Sequence, residues 1–206
     1  MSPRRRRLLP LLPCLFLARP GALFAQAAAP VVGQVGGRPV TADQISGKAP
    51  RARGRSAMAL IVEPALKAYL APFRSEWTPS EADVEHFLAV ERQRQQCGAI
   101  EPMAVPPEHQ REFARLMSAQ MKMQRFIHQR HGGGRILFQQ AGTEAYDATR
   151  RLLLNLERQG AFAITDPELR EQALGYWLHD PQSGLMPDPG PSAFTPEQML
   201  NPCPTR

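Results

Sequence analysis

The chain has 206 residues and a formal net charge of +6, with 25 Lys and Arg against 19 Asp and Glu. Arg4, Arg5, Arg6, Arg7 and Arg19 all fall within the first 27 residues, which hold no acidic group. Without those five the charge is near +1, which excludes the broad basic surface of a general nucleic-acid binder.

The N-terminus reads as a secretory signal. Arg4–Arg7 form a positive n-region, an apolar run follows from Leu8 to Leu17, and Ala25-Gln26-Ala27 offers a small-residue cleavage site before Ala28. Pro10, Pro13, Arg19 and Pro20 keep the run short of the ~20 apolar residues a membrane span needs, and no later stretch qualifies. Leu11-Leu12-Pro13-Cys14 is not a lipoprotein box, since Pro13 sits where a small residue belongs. Arg5-Arg6-Arg7-Leu8-Leu9 loosely fits a twin-arginine signal, but any run of four arginines does, so the general secretory route is the expected one. The expected location is therefore the periplasm, with no transmembrane segment in the mature chain. Of the 3 cysteines, Cys14 leaves with the signal, and Cys97 and Cys203 remain to pair in an oxidising compartment.

The mature chain suits a single domain with its own core, here expected over residues 28–179, with a Pro-rich irregular tail over 180–206. In chain order, Val31–Val35 and Arg38–Val40 predict two extended pieces around a Gly36-Gly37 turn. Thr41-Ala42-Asp43-Gln44 predicts a capping box and a brief helix. Gly47–Gly54 predicts a loop in which Lys48, Arg51, Arg53 and Arg55 are solvated. The spacing of Met58, Ile61, Val62, Ala65, Leu66, Tyr69 and Leu70 predicts a helix over 56–74, kinked or divided at Pro64.

Thr78-Pro79-Ser80-Glu81 predicts a helix start, with Thr78 as the cap and Glu81 reaching back to it, and Cys97-Gly98 ends that helix. Pro106-Pro107 opens the longest helix, to about His131, with Phe113, Leu116, Met117, Met121 and Ile127 on its apolar face and Leu116 and Met117 expected in the core. Gln120 and Gln124 interrupt that face. Gly132-Gly133-Gly134 stops the helix, Arg135–Gln139 predicts a short strand, and helices follow over about 143–159 and from Asp166-Pro167-Glu168 through Trp177. The fold class is mainly α, with a short N-terminal β element.

No catalytic constellation is legible. His128 and His131 lie three apart on one helix, but no cysteine is near in sequence, and a basic pair at a helix C-terminus explains both. Neither Ser80 nor Ser118 sits in a nucleophile elbow, and the glycine triplet follows a helix instead of leading into one. The expectation is a protein without cofactor or metal. Met121, Met123 and Phe126 on the long helix are the candidate client-binding residues, because methionine suits surfaces that accept varied apolar partners, and Met123 and Phe126 lie partly off the main stripe.

The segment Val31-Val32-Gly33-Gln34-Val35-Gly36-Gly37-Arg38-Pro39-Val40-Thr41, followed by a helix and then by Trp77-Thr78-Pro79-Ser80-Glu81-Ala82-Asp83-Val84, resembles the N-terminal helical region of SurA-type periplasmic chaperones and parvulin-type prolyl isomerases. In that family a "V-x-x-V-N-G-x-x-I-T" strand and a "T-P-[ST]-E-x-[DE]-[IV]" helix start are typical; here Gly36 replaces the Asn and Val40 the Ile. The resemblance covers about residues 31–131, and no histidine-led parvulin strand is found in 132–206. It implies a chaperone-like domain that binds unfolded or envelope proteins and peptides through apolar surface. A prolyl-isomerase-related enzyme, an unrecognised hydrolase and a structural partner in an envelope complex are the alternatives. The signal assignment predicts that protein accumulated in the envelope begins at or near Ala28; N-terminal sequencing that finds an intact Met1 would contradict cleavage.

Overall fold

The computed structural model describes residues 29–96, 105–139 and 142–200. The signal region, Cys97 and Cys203 lie outside the described residues. The fold is mainly α. Strands β1 (Val31–Val35) and β2 (Arg38–Thr41) form an antiparallel hairpin with Gln34 opposite Pro39. Its turn is possible because Gly36 and Gly37 hold φ of 54° and 75°, the left-handed region a two-residue turn requires. The Gln44 side chain returns to the Thr41 amide at 2.9 Å and closes a single 3₁₀ turn.

The expected basic loop is largely helix. Helix α1 (Pro50–Ala57) starts at Pro50, whose ring is pre-set for a first helical position, so only residues 45–49 link it to the preceding turn. Arg51 and Arg55 are exposed, and Arg53 lies 4.0 Å from Asp166. Pro64 does not divide the helix. A π turn over Met58–Val62 sits immediately before helix α2 (Glu63–Leu70), and the Glu63 amide donates five residues back to the Met58 carbonyl. The widened turn relieves the clash that a proline ring makes with the carbonyl four residues earlier. A 3₁₀ turn (Ala71–Phe73) and the one-turn helix α3 (Arg74–Trp77) complete the rod.

Helices α4 (Glu81–Gln96) and α5 (Pro107–Arg130) follow, packed on each other. After the glycine triplet come β3 (Ile136–Gln139), β4 (Gly142–Glu144), α6 (Tyr146–Arg158), β5 (Phe162–Ile164) and α7 (Pro167–Leu178). Strand β5 adds to the far side of β1, so that the first sheet has the order β2-β1-β5. Arg135 joins three elements, with its guanidinium on Asp147 of α6 at 3.0 Å and on Asp180 beyond α7 at 2.7 Å.

The C-terminal segment is not merely irregular. Strand β6 (Leu185–Met186) pairs with β3 in a second sheet ordered β4-β3-β6, a 3₁₀ turn spans Pro191–Phe194, and helix α8 (Pro196–Leu200) follows. Ala193, Phe194 and Leu200 are buried, so apolar anchors fix a stretch whose prolines alone suggested only irregular structure.

Two apolar clusters result. The larger joins α1, the π turn and α2 to the first sheet, α6 and α7, with Ile61, Val62, Leu152, Leu153, Phe162, Leu169 and Leu174 fully buried. The smaller lies between α4, α5 and α8. Helices α1 and α7 approach so closely that a β-carbon on Gly54 would sit 2.2 Å from the Gln172 carbonyl oxygen. Gly54→Ala therefore separates two effects of opposite sign. Helix propensity alone favours Ala by about 1 kcal/mol, whereas overpacking this crossing costs ~1–3 kcal/mol. Urea denaturation is expected to show a net loss of stability; a more stable variant would contradict the close crossing.

Candidate functional site

The α4–α5 hairpin starts two residues later than its sequence suggests. Thr78 closes α3, donating its hydroxyl to the Arg74 carbonyl at 2.7 Å, and Ser80 becomes the cap of α4. The Ser80 amide donates to the Asp83 carboxylate at 2.7 Å while the Ser80 hydroxyl accepts from the Asp83 amide at 3.2 Å, a reciprocal box shifted from the expected Thr78–Glu81 pair. Glu81 is thereby free to bind Arg111 and Arg115 across the hairpin, each at 2.5 Å, and Arg111 also holds Glu85. These exposed pairs set register more than stability.

Between the helices, Val84, Phe87 and Val90 of α4 meet Ala114, Met117 and Met121 of α5, with the Phe87 and Phe113 rings edge-on at 6.3 Å. The outer side of this face is covered by the C-terminal segment. Leu200 and Met199 pack into it, and a β-carbon on Gly142 would meet the Met199 sulfur at 3.2 Å, with the Met117 methyl group at 3.9 Å. His86 Nε2 lies 2.7 Å from Glu197 Oε1. Between helix and tail a cleft of about 270 Å³ remains, lined by Asp83, His86, Ser118, Lys122, Phe194 and Glu197 among others.

The three candidate client-binding residues are not together and not exposed. Met121 is 6% exposed, inside the hairpin cluster. Phe126 is 8% exposed, its ring 5.3 Å from that of Phe73, with the Arg130 guanidinium 4.1 Å above Phe73; Met123 packs partly buried on the same large core. Leu116, expected in the core, is 63% exposed. The reason is that α5 is buried on different sides along its length. Its first half turns Ala114, Met117, Ser118 and Met121 to α4, and its second half turns Gln124, Phe126, Ile127 and His128 into the body. One continuous stripe does not describe it. Gln124 is no defect in the packing, since its Oε1 accepts from the Ala145 amide at 2.9 Å at the entrance to α6.

His128 and His131 take separate partners. His128 is buried, with Nε2 3.0 Å from Asp188 Oδ1 and its ring 5.1 Å from that of Phe194. His131 Nε2 lies 3.0 Å from the Tyr69 hydroxyl, and burial, aided by Arg130 and Arg151, holds its imidazole below the usual range. Among the described residues no three His, Cys, Asp or Glu side chains gather where a metal ion would fit.

An open apolar surface exists elsewhere. On β3, Ile136 and Leu137 are buried while Phe138 is 47% exposed, and Met186 of β6 is 48% exposed beside it. Together with Pro189, Ala193 and Gln198 they line a groove of about 370 Å³ between the second sheet and the tail. Ile136 and Phe138 share one face of the strand and Leu137 lies on the other, so both faces of β3 carry apolar side chains, and the residues alone do not mark Phe138 as the exposed one.

Asp83 is the site's most perturbed carboxylate. Burial pushes its pKa up, but hydrogen bonds from Lys122 at 2.8 Å and from Ser80 outweigh this and bring it from 3.8 down to about 2. A lowered folded value means that the contribution is present above pH 3.8 and is lost as pH falls through about 2. Asp83→Asn is expected to cost about 0.5–1 kcal/mol near neutrality, a figure discounted for the solvent exposure of the pair. Thermal unfolding across pH should show the gap between wild type and variant closing below pH 3.8; a constant gap would contradict the assignment. No family model, curated protein or solved structure matches this chain.

Proposed function

We propose that this chain is an exported periplasmic protein-binding domain, chaperone-like and non-catalytic, that holds apolar segments of unfolded or envelope proteins. The observation that carries the reading is the groove beside Phe138 and Met186. Two large apolar side chains, each about half exposed, stand on a floor formed by Ile136. Accessible apolar surface of this kind on a folded domain suits binding to another protein. Residue types support the reading as well. Met186 and Phe138 adapt to varied apolar partners, and the groove's polar members, Thr143, Ser192 and Gln198, carry no charge that would select a small ionic ligand. The secretory signal and the resemblance of residues 31–131 to SurA-type chaperones point the same way.

The groove, and not Met121, Met123 and Phe126, is the proposed client surface, because those three are occupied with internal packing. Phe138→Ser and Met186→Ser should each change stability by no more than about 0.5 kcal/mol, as expected for half-exposed positions. Both should weaken suppression of aggregation of a denatured outer-membrane protein, and the double variant should weaken it further. Prolyl isomerisation of a model peptide should remain at the uncatalysed rate for every form. Unchanged aggregation kinetics with both side chains removed, or measurable turnover, would overturn the proposal.

A further inference from the structure

The outer face of the α4–α5 hairpin carries an apolar cluster distinct from the main core, and among the described residues its outermost members are supplied by the C-terminal segment. Leu200 and Met199 sit in this face, Phe194 lines the cleft at its edge while it and Ala193 are buried in the larger cluster, and Glu197 reaches His86 of α4. From Pro191 onward this cover is attached by side chains. Among the described residues its backbone hydrogen bonds are local, the Ala193 amide to the Gly190 carbonyl and the Met199 amide to the Thr195 carbonyl, and no strand beyond Met186 stitches it to the body. It joins strand β6 through residues 187–190, which include Pro187, Pro189 and Gly190, the last at positive φ. Nor is it flush, since the cleft of about 270 Å³ lies between it and α4–α5. A short helix held in an apolar groove by its side chains is the way one protein presents a segment to another.

We propose that the α4–α5 face is a second docking surface, for a client segment with the chemistry of Phe194–Leu200, and that the tail occupies it as an intramolecular competitor. The occupant is an aromatic side chain followed by a proline-initiated helical turn bearing an acidic residue and a Met-Leu pair. The face itself selects these features. The buried His128 ring takes the aromatic residue, Val84, Phe87, Met117 and Met121 take the Met-Leu pair, and His86 faces the carboxylate. This inference rests on the protein-binding reading given above and adds a site and a partner chemistry to it. A tethered competitor acts at an effective concentration in the millimolar range, so an outside segment binds the resting chain weakly and the released chain well.

The test uses the full chain and a fluorescent peptide of the sequence Pro191–Leu200. The double variant Phe194→Asp/Leu200→Asp, which disfavours docking of its own tail, should bind the peptide at least about tenfold more tightly than wild type. Adding Met117→Gln should remove the gain, and a scrambled peptide should show none. Equal, weak binding by the two folded proteins would overturn the proposal. If the double variant does not fold, native-state hydrogen exchange of wild type decides. The amides of Ala193 and Met199 should then exchange at least about a hundredfold faster than those of Leu152 and Leu153, and equal protection would overturn the proposal. Phe138→Ser placed in the same assays separates the two sites. It should leave the peptide gain intact while lowering aggregation suppression. Loss of the peptide gain in an otherwise folded Phe138→Ser protein would contradict two separate surfaces. An intact gain with undiminished suppression would contradict the Phe138 groove alone.

Discussion

The Asp188 carboxylate is the knot on which the position of the C-terminal segment depends. Its Oδ2 accepts from the Gly134 amide at 2.7 Å, and its Oδ1 accepts from the Gly190 amide at 2.8 Å and lies 3.0 Å from His128 Nε2. The two amides, with His128 nearby, hold this carboxyl below the usual range, so it is ionised wherever the protein is folded near neutrality. The glycine triplet is therefore more than a helix stop. Gly133 and Gly134 hold φ of 60° and 99°, and a β-carbon on Gly133 would come within 2.7 Å of Asp188 Oδ2. Backbone that approaches a carboxylate this closely leaves no room for a side chain. Once Asp188 is fixed at the end of α5, Phe194 lands on the His128 ring and α8 falls across the α4–α5 face.

That placement decides which apolar surface the protein keeps for itself. The inner side of the tail closes the hairpin face over Met117 and Met121, and its outer side, with Ser192, Ala193 and Gln198, becomes a wall of the Phe138–Met186 groove. One segment thus covers one apolar surface and borders another. Helix α5 makes the arrangement possible, because its two halves bury different sides and its C-terminal end carries both His128 and the glycine turn. The result is a small domain whose large core is closed and whose second sheet keeps two neighbouring apolar side chains, Phe138 and Met186, accessible beside the tail.

Much of the local structure is legible in the residues. The Gly36-Gly37 hairpin, the Thr41–Gln44 box, the limits of α5, the strand at Ile136 and the start of α7 at Asp166 each follow from short-range rules. What was not legible depends on partners distant in sequence. Strands β4 and β5 are three residues each and exist because β3 and β1 pair with them. The α4 cap moved from Thr78 to Ser80 because Thr78 is used by the turn that closes α3, and Glu81 then binds Arg111 and Arg115, some thirty residues on. For the candidate site, the methionine-rich helix pointed to a client surface at Met121, Met123 and Phe126, but these side chains pack internally on partners distant in sequence. Prolines 187, 189 and 191 pointed to an irregular stretch, and only the long-range contacts of Asp188, Phe194 and Leu200 reveal its path.

The central claim is that Asp188 fastens a tail that shields apolar surface of the body. Asp188→Ala tests it most directly, with thermal unfolding and fluorescence of an apolar-surface dye recorded on the same sample. The account predicts a cooperative transition close to that of wild type together with a clear rise in dye fluorescence under native conditions. A melting temperature depressed as far as that of a core variant such as Leu152→Ala, or a transition and dye signal both unchanged, would contradict it.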